Sequence, residues 1–203
     1  DALHRHDLRM QALAARIQGL GSGLQRLEEQ VRSDKVMVAF VAEFSRGKSE
    51  LINAIFFADY GRRIMPASAG RTTMCPTELG YDANVAPSLR LLPIETRLQM
   101  QGLAEWRMKA ERWTEIPLDV GNADQIAKAL EKVAEVRKVS LDNARALGFW
   151  HDELTDENPV PDAQGLVEVP MWRHAVINIP HPLLKQGLVI LDTPGLNAVG
   201  AEP

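Results

Sequence analysis

Gly47-Lys48-Ser49 brings together three residue types suited to holding a polyphosphate. The ammonium of Lys48 can reach β- and γ-phosphates, the hydroxyl of Ser49 is a hard oxygen ligand for Mg²⁺, and a glycine lets backbone N–H groups approach closely. The surrounding run, Ala42-Glu-Phe-Ser-Arg-Gly-Lys-Ser49, has P-loop spacing with alanine in place of the first glycine. In that pattern the N–H groups of Glu43, Phe44, Ser45, Arg46, Gly47 and Lys48 cradle the phosphates. Ser49 and Glu50 begin the helix whose positive dipole end faces the anion.

Such a loop works only between a strand and a helix, and the flanking sequence supplies both. Val36, Val38, Phe40 and Val41 form a β-branched apolar run suited to a strand buried on both faces. Leu51, Ile52, Ile55 and Phe56 then recur at helical spacing. A chance Gly-Lys-Ser at a capped helix start is the alternative, and the strand-to-helix setting favours function over it.

Two further stretches have the chemistry of nucleotide sensing. Ala58 to Arg71, rich in Gly, Ala, Arg and Pro, reads as an exposed, mobile loop. It runs into Arg71-Thr-Thr-Met-Cys-Pro-Thr77 and a strand at Glu78–Tyr81. Thr73, or its neighbour Thr72, can complete a Mg²⁺ shell while its backbone senses the γ-phosphate. Near the end of the sequence, Gly187-Leu-Val-Ile-Leu-Asp192-Thr-Pro-Gly195 delivers Asp192 at the C-terminus of a buried strand, the edge where ligands gather in open α/β sheets. Asp192 can support the Mg²⁺ shell through water, and Gly195 lets an N–H turn toward the γ-phosphate. An Ala175–Ile179 strand precedes this one, with a proline-bounded turn and short helix between them.

The rest of the sequence bounds what these motifs can belong to. A chain of 203 residues, 45% hydrophobic and with net charge −4, has no basic stripe, so no nucleic-acid partner is expected. Its single cysteine, Cys75, excludes an internal disulfide framework, fits a reducing cytosol, and reads as a small buried hydrophobe. No apolar run approaches the ~20 residues of a membrane span. The chain begins at Asp1 and is expected to be a fragment.

Residues 1–33 carry Met10, Leu13, Ile17, Leu20, Leu24, Leu27 and Val31 in steps of three and four, a heptad-like stripe interrupted by Gly19, Gly21 and Gly23. Such an arm packs either on the globular domain or in a helical bundle completed elsewhere. Thr73 and Asp192 lie about 120 residues apart, which requires structure of its own between them. From about 87 to 170 the sequence reads as a helical insertion. Ala104–Trp113 has helical character, Asn122–Leu147 forms one long charged helix with Ile126, Leu130, Val133 and Ala134 on a single face, and a loop covers Asp156–Pro170. Trp106, Trp113, Trp150 and Trp172 read as packing anchors rather than base-stacking platforms.

The order AEFSRGKSELINAIF, RTTMCPTELGYD, HPLLKQGLVILDTPGLNAVG resembles the GTPase domain of bacterial dynamin-like proteins. The resemblance implies that Lys48 and Ser49 bind phosphate and Mg²⁺, that Ser45 lies near the transferred phosphate, that Thr73 is the switch threonine ahead of Pro76, and that Asp192 and Gly195 form the second switch. It implies GTP and GDP as ligands, Mg²⁺ and a monovalent cation as cofactors, a homodimer or oligomer formed through the GTPase domain, and binding or remodelling of a membrane. Guanine preference rests on this resemblance, since the base-reading Thr/Asn-Lys-x-Asp element is expected beyond Pro203. Leu196 follows Gly195, where Ras-like enzymes carry a water-orienting glutamine, and dynamin-like proteins also lack that glutamine.

The expectation is an α/β fold: a P-loop GTPase-type three-layer sheet spanning residues 34–203, a helical insertion between the switches, and an N-terminal helical arm. The expected activity is slow GTP hydrolysis coupled to self-association in the cytoplasm, peripheral at the inner face of a membrane. Two readings compete with it, a nucleotide-dependent scaffold with negligible turnover and an Era-type GTPase associated with ribosome or RNA. The charge developed in hydrolysis is supplied either by Arg46 or by a cation near Ser45.

Overall fold

The computed structural model describes residues 35–40, 47–66, 75–153 and 158–193. The chain divides into two compact units, Asp1–Val36 and Met37–Pro203. The arm expected at 1–33 lies outside the described residues.

In chain order the first strand, β1 (Val36–Phe40), leads toward helix α1 (Lys48–Phe56). The polypeptide then forms β2 (Thr77–Gly80), β3 (Ser88–Pro93), α2 (Leu103–Arg107), β4 (Thr114–Pro117) and α3 (Ala123–Glu131). It continues through β5 (Val136–Ser140), α4 (Leu141–Ala146), β6 (Leu166–Pro170), β7 (Trp172–Asn178), α5 (Pro182–Lys185) and β8 (Leu188–Asp192). Six strands form one mixed sheet in the order β1-β8-β2-β7-β3-β4. β2 runs parallel to β7 and antiparallel to β8, and β3 is antiparallel to both β7 and β4.

Side-chain alternation along β7 explains the layering. Ala175 and Ile177 face one side with Leu79, Leu89, Leu91 and Ile190, and there they meet Ile52 and Phe56 of α1 and Ile126 and Leu130 of α3. Val176 faces the other side with Leu92, against Trp106 of α2 and Trp113. Helical residues therefore lie on both faces, and β7 is buried along its length except at Arg173. Burial on both faces does not extend to β1. It has one neighbour in the sheet among the described residues, and Val36 and Val38 are exposed.

The insertion is mixed rather than helical. β3 and β4 extend the main sheet, while β5 and β6 pair antiparallel as a separate ribbon. Under the ribbon lies a second core of Ile94, Val139, Ala144, Leu147, Phe149, Val167 and Val169. The long helix expected over 122–147 starts as expected, Asn122 capping Gln125 N–H at 3.0 Å, but it ends at Glu131. Trp172 Nε1–H donates to the Lys132 carbonyl (2.8 Å) and Met171 N–H to that of Glu135 (2.9 Å), taking acceptors that a continuing helix would use. Val136-Arg-Lys-Val139 then alternates as a strand, and Ser140 opens α4 by accepting from Asn143 N–H. For the same reason the loop expected over 156–170 gives way to β6 at Leu166–Pro170. Trp106, Trp113 and Trp172 are buried packing anchors, with their indole N–H groups bonded to backbone carbonyls.

Candidate functional site

Gly47 is the pivot at the start of α1. Its backbone is left-handed, φ 77° and ψ 13°, a conformation glycine adopts without penalty and other L-residues do not. Its carbonyl accepts the first helical bond from Leu51 N–H at 2.9 Å, so the chain turns at Gly47 directly into the helix. Ser49 is buried in the first turn (6% exposed), whereas Glu50 faces solvent and pairs with Arg63.

The opposite strands converge on Asp192. In the antiparallel β2–β8 pair, Thr77 lies across from Asp192, so the segment entering β2 and the segment leaving β8 emerge at the same edge of the sheet. Asp192 is 2% exposed. The entering segment is fixed there, since Thr77 Oγ1 donates to the Cys75 carbonyl (3.2 Å) and Ala175 N–H donates to the Pro76 carbonyl (2.9 Å). Burial pushes the Cys75 thiol up, away from thiolate chemistry, in keeping with its reading as a small buried hydrophobe. Glu78, next along β2, faces the other side of the sheet. Burial alone raises its carboxyl pKa, but His174 and Arg107 outweigh that and hold it at about 2. His174 Nε2 lies 3.8 Å away, beyond hydrogen-bond reach, while the Arg107 guanidinium is bonded to both carboxylate oxygens, so Arg107 is the main partner.

The residue that the sequence reading overlooked is Asn53, 8% exposed on the inner face of α1. Its Nδ2 donates to the carbonyls of Ser49 (2.9 Å) and Met65 (3.0 Å), and its Oδ1 accepts from the N–H groups of Ile64 (2.9 Å) and Met65 (2.7 Å). Ile64 and Met65 are buried in the main core, which corrects the reading of 58–71 as wholly exposed. A signal was available. An amide four residues after Ser49, inside the apolar run Leu51-Ile-Asn-Ala-Ile, needs partners when buried.

Of the site residues read from the sequence, Gly47, Ser49, Glu50 and Asp192 are described. Glu43, Phe44, Ser45, Arg46, Thr72, Thr73 and Gly195 lie outside the described residues, as does the side chain of Lys48. The donors that are described fit Mg²⁺ in kind. A hydroxyl and a carboxylate are hard oxygen ligands.

Helix α1 opening on a left-handed glycine, and a buried aspartate ending β8, the sheet neighbour of β1, are consistent with a GTPase-type α/β domain. The family model described as "Dynamin family" matches residues 38–202. The chain belongs to the dynamin family, and the matched segment is a dynamin-type G domain. Two chains of solved structures also align with it, both described as an oligomerised bacterial dynamin pair that provides a mechanism for long-range sensing and tethering of membranes. One is 16% identical with a TM-score of 0.39 and the other 15% identical with 0.37. The alignments cover 90% and 88% of this chain but 26% and 21% of those chains, so this chain spans about a quarter of their length. No curated protein matches it.

Proposed function

We propose that this chain binds GTP with Mg²⁺ and hydrolyses it slowly, with turnover raised by self-association at a membrane surface. The observation that carries the reading is the dynamin-family match across residues 38–202, which takes in all three motifs in order. The left-handed Gly47 at the start of α1 and the buried Asp192 beside Thr77 support it.

In this reading the N–H groups of Glu43 to Lys48 bind the phosphates and Lys48 neutralises their charge. Ser49 and Thr73, or Thr72, hold Mg²⁺, and Asp192 holds its water shell. The metal supplies charge neutralisation at the β- and γ-phosphates. Ser45 lies near the transferred phosphate, and the remaining positive charge comes from Arg46 or from a monovalent cation near Ser45. The proposed membrane contact is peripheral; among the described residues no helix is long and apolar enough to cross a membrane. A scaffold that binds GTP without turning it over is the second reading. Single-turnover hydrolysis with and without liposomes separates the two.

The test of binding is equilibrium titration with labelled GTP and GDP. Lys48→Ala abolishes measurable binding, and Ser49→Asn shifts preference toward the diphosphate by impairing the Mg²⁺ site. Unchanged affinity in Lys48→Ala would remove the P-loop reading.

A further inference from the structure

We propose that Asn53 is a positioning residue for the Mg²⁺ site: it locks the first turn of α1, and Ser49 with it, to the buried segment 63–65. The inference rests on the GTP–Mg²⁺ reading above. Helix first turns fray because their leading N–H groups have no helical partner. Here the Ser49 carbonyl receives Asn53 Nδ2–H, and the same amide is bonded to three backbone groups of Ile64 and Met65. All four hydrogen-bonding positions of the amide are used. Ile64 and Met65 are 2% and 5% exposed and packed in the main core, so they give the tie a rigid anchor.

A second tie joins the same two pieces from outside. Arg63 pairs with Glu50, the residue after Ser49, and its Nε–H donates to the Met65 carbonyl at 3.2 Å. Adjacent residues of the first turn are thus held to 63–65 from the core side by Asn53 and from the solvent side by Arg63. Other side chains do not reproduce the inner tie. Aspartate keeps the acceptor for Ile64 and Met65 N–H but when ionised cannot donate to Ser49, while alanine loses both halves. Mg²⁺ demands near-ideal octahedral geometry, so a ligand fixed beforehand raises metal affinity, as other outer-shell partners do.

The test measures binding of fluorescent GDP to the full chain across a Mg²⁺ series, and again in EDTA, for wild type, Asn53→Asp and Arg63→Ala. The proposal expects the Mg²⁺ midpoint to rise about tenfold in Asn53→Asp. It expects a rise of about threefold in Arg63→Ala, where the pair is exposed. Affinity in EDTA stays within about twofold of wild type in both, because the phosphate cradle is untouched. A purely structural role would lower thermal stability and the bound fraction without moving the midpoint. An unmoved midpoint, or equal losses with and without Mg²⁺, overturns the proposal while leaving the nucleotide reading intact. Wild-type protein that binds no guanine nucleotide at any Mg²⁺ concentration overturns both. If Asn53→Asp does not fold, Arg63→Ala decides, because its side chain is 43% exposed and its loss opens no cavity in the core.

Discussion

Removing the Arg107 side chain leaves the Glu78 carboxylate on a buried face of the sheet without its main partner. The pair ties α2 to β2, the strand that lies against Asp192. In the native protein the carboxyl is lowered from 4.5 to about 2, and this sets the sign. Because its folded pKa is depressed, Glu78 contributes stability that is fully present above about pH 4.5 and lost as pH falls toward 2. That difference corresponds to ~3 kcal/mol. Arg107 is 41% exposed and solvent screens part of the interaction, so ~2 kcal/mol is the expected loss for Arg107→Ala at pH 7. In the variant burial still raises the carboxyl pKa and only His174 works against it, so protonation relieves more of the penalty than in the native protein. The deficit should shrink by more than half between pH 7 and 3. Urea unfolding followed by tryptophan fluorescence at both pH values measures it, since Trp106 and Trp113 pack on the same face. Arg107→Met combined with Glu78→Gln removes the charge as well as its partner and should recover most of the stability. A deficit equal at both pH values, or a double variant no more stable than Arg107→Ala, would refute the ion-pair account.

Among the described residues a Cβ at Gly47 would have nothing within 4 Å, so the expected cost of Gly47→Ala is that of the left-handed backbone. That is ~1 kcal/mol, or a fall in Tm of about 3 °C in nucleotide-free protein, and a much larger fall would contradict it. For hydrolysis, turnover of Arg46→Ala and Ser45→Ala is to be compared in potassium and lithium at several protein concentrations. A rate that ignores Arg46 but needs potassium and Ser45 assigns the charge to the cation, and a loss of ~10³-fold in Arg46→Ala assigns it to the arginine. Rates independent of protein concentration in every variant would exclude assembly-driven catalysis. In the N-terminal arm, Leu13, Ile17, Leu20, Leu24 and Leu27 are expected to face another helix, so hydrogen exchange should find their amides protected in full-length protein. Free exchange would end that expectation.

The sequence was most legible where local chemistry and chain direction coincide. Gly47 before an apolar helical stripe, and an apolar run ending in Asp192, specify strand ends and a helix start without reference to anything distant. What could not be read depends on contacts between remote residues. The break after Glu131 is enforced by Trp172 and Met171, some 40 positions away, and Val136–Val139 is a strand because β6 lies beside it. Charged residues of good helix propensity hid that strand, and tertiary pairing overrode them. Glu78 and His174 meet only because β2 pairs with β7. Asn53 sat in plain view, but its partners Ile64 and Met65 lay in a stretch whose Gly, Ala and Arg content suggested exposure.

The neck of the β5–β6 ribbon has a consequence for how freely the module can change. Chain enters this module after Glu135 and leaves at Met171, and those two residues are bonded to each other, with Ile94 N–H donating to the Met171 carbonyl beside them. A segment that enters and leaves through one hydrogen-bonded gate, over an apolar core to which only Ile94 is contributed from outside it, can lengthen, shrink or change its surface without altering the strand order that carries Asp192. Replacing 136–170 by a short glycine turn should leave the six-stranded sheet folded. Length changes and surface substitutions in the ribbon are therefore separable, in physical terms, from the sheet edge where Asp192 lies.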